Sequence, residues 1–426
     1  MKVIFINRYF HPDYSATSQM LTDLAFRLAR RGYSVTVITS RQRYDDPSVQ
    51  LPAQESIGGV EVLRVRTSRF GRSRLLGRAI DYATFYASAG LALWREAQRG
   101  DITVAMTDPP MLSLLAAPIA RSRGARLINW LQDVFPEVAE SLGVGHGRLT
   151  AAGYGLLRLL RNLSLRMADM NVAIGERMAA RLEATGIPRS LVTIISNWAD
   201  GALIRPIQPT ENAFRQAWGL ADAFVVGYSG NLGRAHDIET ILGAIATVEQ
   251  ENTAQGSPRV VWLFIGGGAQ LATLRREAEA RGLSSLRFEA YQQRERLAES
   301  LSVADVHLVS LRPELEGLIV PSKVYGIAAA GRPAIFIGDR HGEIATLLAA
   351  HGCGVTVDMG DSAGLARAVL ELAANREICR EMGARGRAAL LSNYDVSVAV
   401  EKWATLMDFV AGSDAPSLAS SPVTEQ

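Results

Sequence analysis

Short apolar, β-branched runs alternate with helical segments, twice over, and this pattern constrains the chain more than any other feature. The first round runs KVIFIN, a helical stretch over residues 16 to 31, SVTVIT, VEVLRV, a long helix, ITVAM, another helix, then RLINWL. MNVAI and LVTIIS read as its last strands. Alternation of this kind predicts a parallel sheet covered on both faces by helices. A second round follows with FVVGYSG, RVVWLFIGGG, SLRFEAY, VADVHLVS, RPAIFIG and GVTVD, each leading into a helical segment. The expected fold class is therefore α/β, with two doubly wound, Rossmann-like domains, in keeping with a length of 426 residues.

The first domain is placed at residues 1–200 and the second at 201–393, joined through SNWADGALIRPIQPTEN, where Pro206 and Pro209 interrupt any helix. A last helix over 394–411, carrying Val398, Trp403, Leu406 and Phe409, is expected to return toward the first domain. The remainder, 412–426, is small, polar and proline-containing, the composition of a disordered tail. Sheets of this type bind ligands outside the carboxyl ends of their strands, so two of them facing one another imply a cleft fed from both sides.

A formal charge of +2 is too small for a dedicated nucleic-acid binder. Cys353 and Cys379 are the only cysteines, which excludes a disulfide framework and fits a cytoplasmic protein. The N-terminal apolar run is short and followed by charge, so it reads as a strand and not as a signal peptide. No uninterrupted apolar stretch is long enough to span a bilayer. His11, His236, His307 and His341 fall on different elements and show no metal-ligand spacing.

The stretch YSGNLGRAHD has the character of an anion-binding loop. Gly230 and Gly233 permit close approach of backbone to ligand, Asn231 lies between them, and Arg234 adds a mobile cation. The helix expected from about Asp237 offers unpaired amides and a positive dipole end. The competing reading is a tight turn that needs glycine for geometry alone. FIGGGAQL places Gly266, Gly267 and Gly268 at the end of the next strand, and EGLIVPSKVYGIAAAG sets Ser322 and Lys323 at another strand-to-helix crossing. There a fixed cation and hydroxyl could meet a diphosphate, unless Lys323 is simply solvated. Neither glycine site follows G-x-G-x-x-G, so a nicotinamide dehydrogenase loses its main support.

The order AIGERMAARLEATGIPRSLVTIISNWAD, GYSGNLGRAHDIETILGAI, FIGGGAQL and ADVHLVSLRPELEGLIVPSKVYGIAAAGRPAIFIG resembles glycosyltransferase family 4, the retaining sugar-nucleotide transferases of GT-B fold. INRYFHPDYSATSQMLTDLAFRLARRGYSVTVIT with LQDVFPE is most similar to its capsule, O-antigen and colanic-acid branch. The resemblance covers nearly the whole chain up to about Tyr394. It implies a nucleoside diphosphate sugar on the second domain, a UDP-linked N-acetylamino sugar first, and an acceptor on the first domain. Gly230, Asn231, Gly233, Arg234 and Gly266 to Gly268 match the diphosphate loops, and Tyr291 matches the region beside the base.

The match has departures. Asn231 stands where many relatives have arginine, and Ala235 and His236 stand near the position of a lysine. The E-x7-E pattern is broken because Gly326 occupies the place of its second glutamate, while Glu314 or Glu316 approximates the first or is a solvated loop carboxylate. Phosphate binding is therefore assigned to Arg234, Ser322 and Lys323. In the first domain Ser15, Ala16 and Thr17 replace the paired glycines of relatives, with Thr17 alternatively capping a helix. Asp133 and Glu137 are the polar groups implied on the acceptor side, where Asp133 would accept a hydrogen bond from the acceptor hydroxyl, or cap a helix. Arg234, Lys323 and Asp133 form the catalytic set.

The family's same-face chemistry implies that the donor phosphate takes the acceptor proton. D-x-D, the metal motif of the other main glycosyltransferase fold, is absent from the chain, so no metal and no cofactor is expected. Arg64, Arg66, Arg69, Arg72, Arg74 and Arg78 interleave with Phe70, Leu75, Leu76, Phe85 and Tyr86, and Arg158, Arg161 and Arg166 lie among leucines. These suit anionic headgroups of the inner membrane, where relatives extend polyprenyl diphosphate-linked sugars, or they are solvated arginines over a core. Two alternatives remain open: a sugar-nucleotide epimerase of the same architecture, and a nucleotide-sugar-binding subunit without catalysis.

Overall fold

A computed structural model describes residues 1–412 apart from 45, 47–48, 71–74, 145–147 and 252–257. The tail expected to be disordered lies outside the described residues, save for Gly412. The first sheet contains β1 (Lys2–Ile6), β2 (Ser34–Ser40), β3 (Gln54–Ile57), β4 (Val60–Val65), β5 (Ile102–Ala105), β6 (Arg126–Trp130), β7 (Met170–Ala173) and β8 (Val192–Ile194). Its order is β3-β4-β2-β1-β5-β6-β7-β8. The second holds β9 (Phe224–Asn231), β10 (Val260–Gly267), β11 (Leu286–Glu289), β12 (Val306–Ser310), β13 (Ala334–Ile337) and β14 (Gly354–Val357). Its order is β11-β10-β9-β12-β13-β14.

Every pairing is parallel except β3 with β4. That edge hairpin escapes the sequence reading because β3, QESI, is polar and half-exposed. Its turn is Gly58-Gly59, both at positive φ, as a two-residue hairpin connection requires. The central strands are buried on both faces, β5 and β7 throughout, which is what helices on either side of a parallel sheet demand. In both sheets the strand order reverses beside the first strand, between β1 and β5 and between β9 and β12. Each reversal opens a crevice at the carboxyl ends of the strands.

The two domains are joined by more than the linker. The Val134 amide donates to the Leu318 carbonyl at 2.9 Å, and Asp133 forms an isolated antiparallel bridge with Ile319. Arg294 of the second domain donates to Asp23 at 2.5 Å, and the Arg177 amide to Glu343 at 2.9 Å. The Val396–Val410 helix returns to pack on the Ala16–Arg30 helix, with the fully buried Trp403 ring 4.9 Å from Trp130 of β6. Trp130 in turn stacks on Trp198 of the linker at 5.7 Å. Leu406 shares the buried face, whereas Phe409 points outward and is 53% exposed, so it does not contribute to the packing expected of it.

Truncating Trp403 to alanine removes the ring that joins the returning helix to β6. A loss of about 3–5 kcal/mol is expected in denaturant unfolding. Trp403→Phe, which keeps an aromatic ring at the contact, should lose much less.

Candidate functional site

At the ends of β9 and β10 two glycine turns lie side by side, with Gly230 opposite Gly266 and Asn231 opposite Gly267. Gly266 and Gly268 adopt φ of 130° and 124°, and a Cβ on either would strike backbone of the facing turn: the Gly230 carbonyl for Gly266, Leu232 for Gly268. Their glycine requirement is thus set by close approach of the two turns. A Cβ on Gly230 would meet nothing within 4 Å, so this turn faces open space. Exposed Tyr291 sets its ring edge about Gly266 and Gly267. Arg234 is exposed, with no partner among the described residues.

The helix after this loop does not offer free amides. It begins at Glu239, and Asp237 caps it, accepting from the Glu239 amide at 3.1 Å and the Thr240 amide at 3.3 Å. A carboxylate already occupies the positive end of the dipole, which corrects the expectation of an anion site there. A buried cation stands at the next crossing.

Lys323 opens the Lys323–Ala329 helix, and its Nζ is buried without a hydrogen-bond partner, 3.6 Å from the centroid of the Tyr228 ring. Burial pushes its pKa down to about 7, and no carboxylate offsets that shift. The solvated-lysine alternative is therefore excluded. Tyr228 is itself anchored by its hydroxyl, which donates to the Asn231 carbonyl at 2.9 Å. His236 meets the same ring edge-on, and its Nδ1 donates to the Ser310 carbonyl at 2.7 Å, which fixes the tautomer. Burial, followed by Lys323, depresses the His236 pKa to about 4, so it is a neutral ring and no substitute for a lysine. The Ser322 side chain caps nothing.

The two glutamates part company. Glu314 is exposed and 3.6 Å from Arg312, a solvated loop carboxylate. Glu316 accepts from the Glu343 amide at 2.7 Å, so it caps the Glu343–His351 helix, while its second oxygen is buried without a partner.

On the facing domain, Ser15 is the residue that caps the Ala16–Arg30 helix, accepting from the Ser18 amide at 3.3 Å, which corrects the assignment of that role to Thr17. Ala16 starts the helix, and the Thr17 hydroxyl accepts from Asn7 at 3.4 Å. Glu137 is tied to buried Arg161 at 2.7 Å, with Arg158 at 3.7 Å, so its carboxylate serves an ion pair and not an acceptor. Asp133 caps no helix, since the Glu137–Ser141 helix starts from Pro136 without a side-chain bond. One Asp133 oxygen is buried without a partner. Burial, with Asp108 adding to it, lifts its pKa to about 7. A cavity beside it is lined by Thr107, Asn129 and Arg161 among apolar residues, including Met111, a non-glycine residue held at φ 66°.

Sequence reasoning missed Tyr228, which reads as one more apolar strand residue, and Asn129, whose amide donates to buried Asn171 at 2.9 Å. It also misassigned several arginines. Arg64 is buried against Glu55, Arg161 is buried, and Arg158 pairs with Glu140, so none of these is a free surface cation. Arg72 and Arg74 lie outside the described residues.

The family model described as "Glycosyl transferase 4-like domain" matches residues 16–198, and "Glycosyl transferases group 1" matches 210–389. The probable glycosyltransferase WbjE of Pseudomonas aeruginosa is 29% identical over 95% of this chain and 96% of its own length. The putative colanic acid biosynthesis glycosyl transferase WcaI of Escherichia coli K12 is 24% identical over 82% of this chain and 86% of its own. Among solved structures, Anabaena HepE in complex with UDP and glucose has the same fold, with a TM-score of 0.71 and 17% identity over 96% of this chain and all of that one.

Replacing Asp133 by asparagine removes an ionisation that the fold opposes. With a folded pKa of about 7 against 3.8 unfolded, the native carboxyl holds its proton longer, so this group's contribution to stability declines as pH rises between those values. The melting temperature of Asp133→Asn relative to the parent should climb over that window and level off above about pH 7.

Proposed function

Because this chain belongs to glycosyltransferase family 4, with the two-domain GT-B fold, we propose that it transfers a sugar from a nucleoside diphosphate donor to a lipid-linked saccharide in cell-surface polysaccharide assembly. The observation that carries the donor half is Lys323, a buried ammonium with unused donors and no compensating carboxylate beside two glycine turns. A diphosphate supplies the missing anion. Exposed Arg234 can close over the same group from the loop above. Charge-assisted bonds of about 1.5–3 kcal/mol each from two or three such contacts suffice for micromolar binding. HepE, of the same fold, is solved with UDP, and a UDP-linked N-acetylamino sugar is the donor we favour.

As the glycosidic bond to the donor phosphate breaks, negative charge grows on the leaving diphosphate, where Lys323 and Arg234 stabilise it. This leaves no task that requires a metal. Retention follows from attack on the face the diphosphate leaves, with a donor phosphate oxygen taking the acceptor proton. Asp133, across the cleft, orients the incoming hydroxyl by accepting its hydrogen bond. The WcaI name, a putative colanic acid biosynthesis glycosyl transferase, supports a role in surface polysaccharide synthesis.

The acceptor's lipid points to a membrane-facing surface. No described helix is long and apolar enough to cross a bilayer. On the Arg148–Arg166 helix, however, Leu156, Leu159 and Leu163 are each more than half exposed, and Met167 follows on the same face, with exposed Arg166 alongside. An apolar stripe of this kind suits shallow insertion among headgroups.

Calorimetric titration tests the donor site. UDP should bind, and its affinity should weaken as pH rises above about 7, where the free lysine loses its proton, by up to about tenfold per pH unit. Lys323→Ala should abolish that dependence and lower transfer roughly tenfold to a thousandfold. Unchanged turnover and an unchanged pH profile would remove Lys323 from the site.

Sedimentation with anionic liposomes tests the surface. The protein should co-sediment, and Leu159→Glu with Leu163→Glu should cut the bound fraction at least about tenfold, as two buried leucines are worth about 3 kcal/mol or more. Protein left in the supernatant at low salt would end the membrane assignment.

A further inference from the structure

A guanidinium is buried in the first domain with a carboxylate nearby but no side-chain hydrogen bond to it. Arg8 follows β1 at the carboxyl end of the sheet, beside the reversal of strand order. Its side chain is 4% exposed and its Nε is buried without a partner. The nearest carboxylate oxygen, on Asp81, is 3.9 Å away and out of hydrogen-bond reach. The other Asp81 oxygen accepts from the Ser68 hydroxyl at 2.6 Å and the Phe70 amide at 3.0 Å.

What hold the guanidinium in place are two rings, Tyr9 and Tyr82, with centroids 5.3 and 5.1 Å from its central carbon. The backbone is equally fixed. The Arg8 amide donates to the Asp108 carbonyl at 2.6 Å, and its carbonyl accepts from the Ser40 amide at 3.0 Å and the Thr39 hydroxyl at 2.9 Å. An immobilised, desolvated guanidinium fork with unspent donors matches the geometry of a phosphoryl group.

The surroundings place this group on the acceptor side of the cleft. Asp108, whose carbonyl receives the Arg8 amide, is close enough to Asp133 to raise its pKa. Tyr9 meets Tyr44 edge-on at 5.3 Å, and Tyr44 is within electrostatic range of Tyr291 on the opposite domain. Lys323, by contrast, belongs to the other domain and packs on Tyr228.

We propose that Arg8, steadied by Tyr9 and Tyr82, binds a phosphoryl group of the acceptor in a subsite distinct from the donor diphosphate site. The proposal rests on the transferase reading and narrows it, for the acceptor then carries an anionic group near its reacting hydroxyl. That group comes from a lipid-linked diphosphate or from a soluble phosphate ester.

The test is calorimetric titration of the full chain, with UDP saturating, against inorganic diphosphate, farnesyl diphosphate and, as a neutral control, farnesol. At least one of the two phosphates should bind and farnesol should not. Arg8→Met should weaken phosphate binding at least about tenfold and leave the UDP Kd unchanged, with a lower melting temperature because the buried Asp81 carboxylate loses the cation 3.9 Å away. If Arg8→Met fails to fold, Arg8→Lys keeps the charge, removes the fork and should weaken the phosphates alone. Farnesyl diphosphate favoured by more than about tenfold assigns the lipid-linked source, and equal affinities assign the soluble one.

Unchanged phosphate affinity in Arg8→Met, with or without a lower melting temperature, overturns the subsite, as does absence of phosphate binding by the parent. Arg8-dependent phosphate binding by a protein that binds no UDP supports the subsite while overturning the transferase reading.

Discussion

The contact on which the site depends is between Trp403, almost at the end of the chain, and Trp130, at the end of β6. Trp130 leads within three residues to Asp133, and Asp133 bridges to Ile319 of the other domain. The segment from Ile319 continues into the helix that begins at Lys323. One aromatic contact therefore registers the Asp133 carboxylate, the seam between domains and the Lys323 cation. The Trp198 ring stacked on Trp130 brings the linker into the same cluster, so the domain connection is packed into the core and not left as a free tether.

On either side of the seam stands a group that the fold makes less willing to ionise. Burial raises the Asp133 carboxyl and lowers the Lys323 ammonium to a pKa of about 7 in each case, from opposite directions. Neither is offset by a salt bridge, as a structural ion pair would be, and each has a buried polar atom without a partner. Desolvation kept uncompensated in this way is usual at functional sites, where a ligand completes the arrangement. The opposite outcome is visible nearby. Glu137 and Arg161 are also buried, but each neutralises the other at 2.7 Å, and they hold the Arg148–Arg166 helix against the loop after β6 without needing a ligand.

Both sheets were legible in the sequence because a strand buried on both faces is mostly apolar, as VIFI of β1 and AIFI of β13 are, and the pattern is local. The β3 hairpin was lost because a half-exposed edge strand has no such signature, although its Gly58-Gly59 turn was present to be read. Of the candidate site, the close approach of the glycine turns and the position of Lys323 at a helix start were legible, and the polar partners were less so. What a polar residue does depends on a partner remote in sequence. Asp237 caps its own helix, Glu316 caps a helix 27 residues later, and Arg64 is removed from the surface by Glu55. Arg158 and Arg161 looked like surface charges because their leucine neighbours face outward, yet acids on the loop and helix after β6 had already claimed them.

One device recurs on the two sides of the cleft. At the strand-order reversal of each sheet a buried cation lies against tyrosine: Arg8 against Tyr9 and Tyr82, Lys323 against Tyr228. A carboxylate would offset the desolvation of such a cation more fully, but it would also consume the hydrogen-bond donors and cancel the field. A ring face contributes up to about 2 kcal/mol when the pair is desolvated, fixes the position and leaves the N–H groups unused. The Lys323 pKa falls because burial is not offset by any charged group, a shortfall of the kind an anion would make good. At Lys323 tyrosine therefore suits better than an acid would, since it holds a cation ready without satisfying it; at Arg8 the rings act alongside Asp81.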